Sequence, residues 1–324
     1  MNQSAFLNTV RQPDTALAFP TAAAFESTFD TSTIACIVPQ VERSLDEHVE
    51  ALQDKIRQLS FELNVMRRRD EHVNGVINKL DEEQRLAARL QRDFLPKALP
   101  QLGRVHFQTL YRPAGYVSGD LYDVLRLDEN NVGFYVADAV GHGMPAALLT
   151  MFMKNALVTK DVNTSAYRLL DPSETMARLN YSLCEQNLSH ATFATAAYGR
   201  IDTSTLRLTF STGGHPNPVL VRDGRATDLK NDGALLGIFP DERFTDCTFQ
   251  LQRGDRVFVY TDGIELIFPD KDGNADTERW RDELLRNADK PVSHILDAFA
   301  INVDDTGGSL LPKDDLTIIA IDVR

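Results

Sequence analysis

Between residues 41 and 95, apolar side chains return at Leu45, Val49, Leu52, Ile56, Leu59, Leu63 and Met66 in alternating steps of four and three. That spacing is the seam of a heptad repeat. The register passes through Asp70, continues with Val73, Ile77 and Leu80, meets Gln84, resumes at Ala87 and drifts to Leu90 and Phe94. A lone helix over this span would be about 80 Å long at about 1.5 Å per residue, and so narrow a stripe has nothing within one chain to bury against. The pattern predicts a parallel coiled-coil homodimer over 41–95, ended by Pro96 and Pro100. A helical hairpin broken at Arg67-Arg68-Arg69-Asp70 or at Asn74-Gly75 is the alternative that the same pattern allows. Asp70 and Gln84 weaken the seam locally and suit a role in setting or shifting register.

The flanking segments differ in kind. Residues 1–40 are rich in Thr, Ala, Ser and Phe with little periodicity, and read as a poorly ordered arm; Ile34-Ala35-Cys36-Ile37-Val38 before Pro39 could pair as a strand. No window approaches the ~20 apolar residues of a membrane helix, and the N-terminus lacks a basic stretch followed by a long apolar run. Three cysteines, at 36, 184 and 247, fit neither a disulfide framework nor a zinc site. Reduced thiols in a cytoplasmic protein are expected. A net charge of −13 disfavours nucleic acid as a partner and makes the placement of the carboxylates informative.

Residues 96–324 read as one domain. Strand-like runs fall at 105–111, 121–127, 132–137, 193–201, 205–212, 256–261 and 316–322, and helical patterns at 144–158, 173–188, 280–287 and 292–302. The strands cluster as hairpins instead of alternating with helices, so an antiparallel, layered α+β sandwich is the expected architecture.

Four segments set aspartates at the end of a hydrophobic run, next to glycine or another acidic residue: Ser118-Gly119-Asp120-Leu121-Tyr122-Asp123, Asp138-Ala139-Val140-Gly141-His142-Gly143, Thr261-Asp262-Gly263 and Asp314-Asp315-Leu316-Thr317. Singly, each is an ordinary loop-former. Together they suggest a hard divalent metal, because a carboxylate at such a position costs desolvation unless a cation compensates it, and Mg2+ and Mn2+ prefer all-oxygen ligands. Pro145 falls near the first position of a helix, where its missing N–H is harmless. His142 could protonate a leaving group or brace its loop, and bracing is the expected role. His215 in Gly213-Gly214-His215-Pro216 is expected to serve turn geometry.

The ordered series Gln91-Arg92-Asp93-Phe94-Leu95-Pro96, SGDLYD, DAVGHG, Thr212-Gly213-Gly214-His215-Pro216, Leu235-Leu236-Gly237, Leu251-Gln252-Arg253-Gly254-Asp255, TDGIE and DDLT resembles the metal-dependent serine/threonine phosphatases of the PPM family, in their SpoIIE/RsbU branch. The likeness covers about residues 88–324. It implies a β-sandwich flanked by helices, two Mn2+ or Mg2+ ions, and hydrolysis of phosphoserine or phosphothreonine by metal-activated water. Carried over by motif, Asp138 would bridge both ions and Asp120 would act at the same centre. The Ala139 carbonyl, Asp262 and Asp314 would complete the ligands, with Asp315 the less favoured of its pair and Asp123 an outer-shell group. Ser118 stands where glycine is commoner, and no arginine matches the phosphate-gripping residue of the eukaryotic relatives.

The resemblance also implies a phosphoprotein partner, a STAS-type anti-sigma-factor antagonist, with control exerted through the dimeric helix. A catalytically silent scaffold and a different phosphoryl-transfer enzyme are the rivals. The intact acidic set argues against the first, and the lack of a GxxxxGK[ST] loop against a P-loop version of the second.

Overall fold

The computed structural model describes residues 31–163, 166–188, 192–268, 276–305 and 314–324. The chain forms two units, Met1–Asn78 and Lys79–Arg324.

Helix α1 runs from Thr31 to Phe94 without a break, and its last turns belong to the second unit. The helix is continuous through Arg67–Asp70 and Asn74-Gly75, which removes the hairpin alternative. Its start corrects the strand expected at 34–38: these residues are helical, with Pro39 inside the helix. A strand there would have left its backbone groups unpaired, whereas a helix satisfies them locally. The remainder of the expected arm, residues 1–30, lies outside the described residues. Along the first unit the seam side chains are open to solvent, with Leu45, Leu52, Ile56 and Met66 each more than 60% exposed.

In the second unit the strands in chain order are β1 (Val105–Arg112), β2 (Asp120–Arg126), β3 (Asn131–Ala139), β4 (Lys160–Asn163), β5 (Ala166–Leu169), β6 (Ala194–Asp202), β7 (Arg207–Gly213), β8 (Val219–Arg222), β9 (Arg225–Asp228), β10 (Cys247–Gln250), β11 (Arg256–Tyr260) and β12 (Leu316–Val323). The helices are α2 (Met144–Ala156), α3 (Pro172–Glu185), α4 (Thr277–Arg286) and α5 (Val292–Asp305). One five-stranded sheet has the order β1-β12-β11-β8-β9, the other β10-β7-β6-β3-β2, and β4 and β5 form a separate hairpin. All the named pairings are antiparallel.

The two sheets face each other across a dry layer that includes Phe107, Val124, Phe134, Ile201, Phe210, Val257 and Ile321. The outer face of the first sheet is covered by α4 and α5 through Trp280, Leu284, Ile295 and Phe299. The outer face of the second is covered by α2 and α3 through Met153, Met176 and Leu179. Coverage on both faces explains why all eight residues of β12 are buried and why its sequence is almost uniformly apolar. This is the expected helix-flanked sandwich. Packing in it is tight enough to be specific: a Cβ on Gly199 of β6 would lie 2.2 Å from the Phe134 ring of β3. Pro145 falls within the first two positions of α2, after Gly143 at its N-cap. Among the described residues no helix is long and apolar enough to cross a membrane.

Candidate metal centre

Asp120 opens β2 and Asp138 nearly closes β3, and antiparallel pairing sets the two opposite each other in register. Strand alternation turns Asp120, with Tyr122 and Val124, into the space between the sheets. The opposing sheet brings its own acids to the same end. Asp262 follows β11 in a short 3-10 turn, and Asp314 and Asp315 immediately precede β12. Gly263 is what lets these two loops touch, since a Cβ there would sit 2.0 Å from the Asp315 carbonyl oxygen.

The buried carboxylate of Asp120, 1% exposed, accepts 2.7 Å hydrogen bonds at Oδ2 from the Thr261 and Thr317 hydroxyls. The Thr261 hydroxyl in turn accepts from the Thr317 backbone N–H at 2.9 Å. Asp315 is also buried, and both of its oxygens are taken by backbone: Oδ1 accepts from Ala114 N–H and Oδ2 from Gly119 N–H, each at 2.6 Å. Asp315 thus ties the β12 loop to the Ser118-Gly119-Asp120 loop. Asp262 and Asp314 are exposed at the mouth. The Ala139 carbonyl faces Gly119, where a Cβ would stand 3.3 Å from its oxygen.

Burial and the neighbouring charges raise several of these carboxyls. Burial, then the charges of Asp262, Asp314 and Asp315, push the Asp138 carboxyl up to about 7. Burial, then Asp138, hold Asp120 well above the usual carboxylate range against the pull of the two threonine hydroxyls. Asp262 is raised by burial and by Asp314, and Asp315 chiefly by burial. Among the described residues no lysine, arginine or histidine forms an ion pair with any of the five. Among the described residues, no three acidic, histidine or cysteine side chains close on a single point. An all-oxygen, uncompensated, converging donor set fits a hard divalent cation.

Asp123 departs from the outer-shell role expected of it. It sits three residues after Asp120, so strand parity turns it to the opposite face, where its carboxylate pairs with Lys154 of α2 at 2.8 Å. His142 departs as well: its side chain is exposed, makes no hydrogen bond among the described residues, and lines a cleft of about 630 Å3 with Tyr116, Met144, Asp314 and Gln84. His215, expected to serve only its turn, is buried and lines a second cleft beside Asp138 and Asp262.

Sequence reasoning assigned no role to Thr261, Thr317 or Gln91. Gln91, near the end of α1 and 3% exposed, donates through Nε2 to the Ser118 carbonyl at 2.6 Å and accepts at Oε1 from the Ser118 N–H at 2.9 Å. Nearby Ala88 packs against Val117 and Ala147. The loop that delivers Asp120 is therefore held by α1. The available signals were the threonines within TDGIE and DDLT and the glutamine that opens the QRDFLP motif.

Two antiparallel sheets between helix pairs, with acidic loops meeting at one end, are the fold of the PP2C-type phosphatases. The chain matches the SiaA-PP2C domain of Pseudomonas aeruginosa with a TM-score of 0.66 and 24% identity, over 77% of this chain and 99% of that one. It matches RsbX in complex with magnesium with a TM-score of 0.50 and 17% identity, over 70% and 99%. Within that class, the description of the stage II sporulation protein E (SpoIIE) family matches residues 128–324, and the chain belongs to this family. It is 26% identical to the phosphoserine phosphatase RsbP of Bacillus subtilis over 247 residues, 75% of this chain, and spans 58% of the length of RsbP.

Proposed function

We propose that this chain is a metal-dependent protein serine/threonine phosphatase that acts on a phosphorylated regulatory protein and is controlled through a dimeric coiled coil. The observation that carries the reading is that Asp120 and Asp138 stand opposite each other and Asp138 and Asp262 line one cleft, with Asp314 before β12 at the same end and no cationic partner among the described residues. Asp138, the Ala139 carbonyl, Asp262 and Asp314, with Asp120 directly or through water, would hold two Mn2+ or Mg2+ ions, which supply a water nucleophile at neutral pH and neutralise charge on the phosphoryl oxygens. The chain's own residues do the rest. Asp120 is fixed by Thr261 and Thr317 directly opposite Asp138 in the β2–β3 register, so its carboxylate is oriented before any ion arrives. His142, exposed beside Asp314 in the 630 Å3 cleft, would be the group to give a proton to the departing serine or threonine oxygen.

The substrate reading, a STAS-type anti-sigma-factor antagonist, is supported by kinship with RsbP, a protein named as a phosphoserine phosphatase. Homodimerisation over 41–95 is supported by the solvent-exposed heptad seam. Regulation through α1 is supported by the Gln91 clamp on Ser118, two residues from Asp120, which couples movement of the helix end to the site. The reading places the protein in the cytoplasm. It is tested by incubating the full chain and Mn2+ with a serine-phosphorylated STAS-domain protein and following phosphate loss by mass spectrometry. Loss that disappears with EDTA supports the reading, and a phosphoprotein left intact over many molar equivalents of enzyme refutes the substrate assignment. Gln91→Ala is expected to lower the rate while Mn2+ still supports it.

A further inference from the structure

We infer that His215 is a positioning residue of the metal centre, a strut between the two sheets that sets the spacing of Asp138 and Asp262. The inference rests on the metal-centre reading above and adds a residue to it.

The ring is delivered by a rigid turn after β7. Gly214 has φ +63°, and a Cβ on it would lie 2.5 Å from the Leu235 side chain, so the chain can turn here only as glycine. The Gly214 N–H donates to the Gly233 carbonyl at 2.8 Å, and on the other side of His215 the Asn217 side-chain oxygen accepts from the Asn231 N–H at 2.9 Å. So pinned, the imidazole is 5% exposed, and its Nδ1 lies 2.8 Å from the Thr195 hydroxyl. Thr195 stands on β6 directly opposite Asp138 of β3. His215 lies in the connection that crosses from β7 of one sheet to β8 of the other, and β8 pairs with β11, the strand that leads to Asp262. The ring's Nε2 has no hydrogen-bond partner among the described residues. Asp138, Asp262, Thr195, His215, Asn217 and Glu265 line one cleft of about 370 Å3.

A buried polar ring is costly unless it is used. The sheets are hydrogen-bonded within themselves, so the distance between an aspartate on one and an aspartate on the other depends on the groups set between them. At the site end these include the Thr261 and Thr317 hydroxyls on Asp120, the Asp315 carboxylate on the Gly119 N–H, and the His215 ring. Mg2+ and Mn2+ demand near-octahedral geometry, and small errors in ligand spacing weaken binding. Burial pushes the imidazole down to about 3, so it stays uncharged and adds no repulsion toward a cation.

The test is Mn2+ affinity of the full chain, read from the electron paramagnetic resonance signal of free Mn2+, for the wild type, Thr195→Val, Thr195→Ser and His215→Leu. Thr195→Val and His215→Leu are expected to weaken binding by about 10- to 100-fold, the usual effect of losing a group that orients a ligand. Thr195→Ser keeps the hydroxyl and should restore the wild-type affinity, which a purely space-filling role would not require. Wild-type affinity in Thr195→Val, with the wild type itself binding, overturns the strut alone. Failure of the wild type to bind Mn2+ overturns the metal centre and the strut together. Should His215→Leu not fold, the Thr195 pair still decides the question.

Discussion

Asp138→Asn should make the metal-free protein more stable while abolishing its response to metal. In the folded chain burial and three neighbouring carboxylates raise the Asp138 carboxyl to about 7, against about 3.9 for an unfolded chain. A raised carboxyl binds its proton more tightly in the folded state, so stability is lost as pH rises from about 4 to about 7 and is not regained above that. At about 1.4 kcal/mol per pH unit the full shift would cost about 4 kcal/mol. Asp138 is only half-buried and its neighbours can relax, so about 2 kcal/mol is the realistic penalty. Asparagine keeps the shape and removes the charge. Urea unfolding in EDTA should show the variant gaining about 2 kcal/mol at pH 8, with the gain shrinking toward zero near pH 4. Added Mn2+ should stabilise the wild type at pH 8 and leave the variant unmoved. A variant that is less stable than the wild type in EDTA at pH 8, or a gain independent of pH, would refute the argument.

Gly263→Ala places a methyl group 2.0 Å from the Asp315 carbonyl, and neither loop can give way without parting Asp262 from Asp314. The expected result is a stability loss of about 1–3 kcal/mol by urea unfolding, together with Mn2+ binding weakened at least tenfold in calorimetry. Asp123→Ala leaves the half-buried Lys154 charge on the other face of β2 with only the Phe94 carbonyl as partner. It should cost about 3 kcal/mol in the same unfolding assay and leave Mn2+ affinity unchanged, the opposite pattern. Ile56→Lys with Leu59→Lys puts charge on the open seam of α1, and light scattering should then find a monomer where the wild type is a dimer.

The sequence announced long elements better than short ones. β3, β6, β7 and β12 are seven to nine residues long, and β3 and β12 carry the apolar stretches Gly133–Ala137 and Ile318–Ile321 of buried strands. β5, β9 and β10 are four residues each, and segments such as Arg225-Ala226-Thr227-Asp228 carry too little hydrophobic pattern to stand out. The β8–β9 hairpin did carry a signal: Asp223-Gly224, both with positive φ, is the pair that a tight two-residue turn demands. At the candidate site, the four aspartates proposed to hold metal stand out in the sequence because each sits in a distinctive local motif. The SGDLYD motif alone does not show that strand parity turns Asp123 away from Asp120 and toward Lys154. Gln91, Thr261 and Thr317 escaped notice because their role is to orient Asp120 across 27, 141 and 197 residues of separation, through Ser118 in the first case and directly in the others. His215 was legible as a turn residue, but its partner Thr195 lies on another strand, and only the fold brings the two together.

The central claim is that these aspartates create a metal-activated water for phosphoester hydrolysis. It is tested most directly by the initial rate of p-nitrophenyl phosphate hydrolysis by the full chain as Mn2+ is titrated, beside Asp262→Asn at equal folded concentration. A saturable Mn2+ dependence in the wild type, with the variant at least a hundredfold slower at every concentration, is the predicted result. Turnover that is unchanged by EDTA, or equal in the variant, would contradict it.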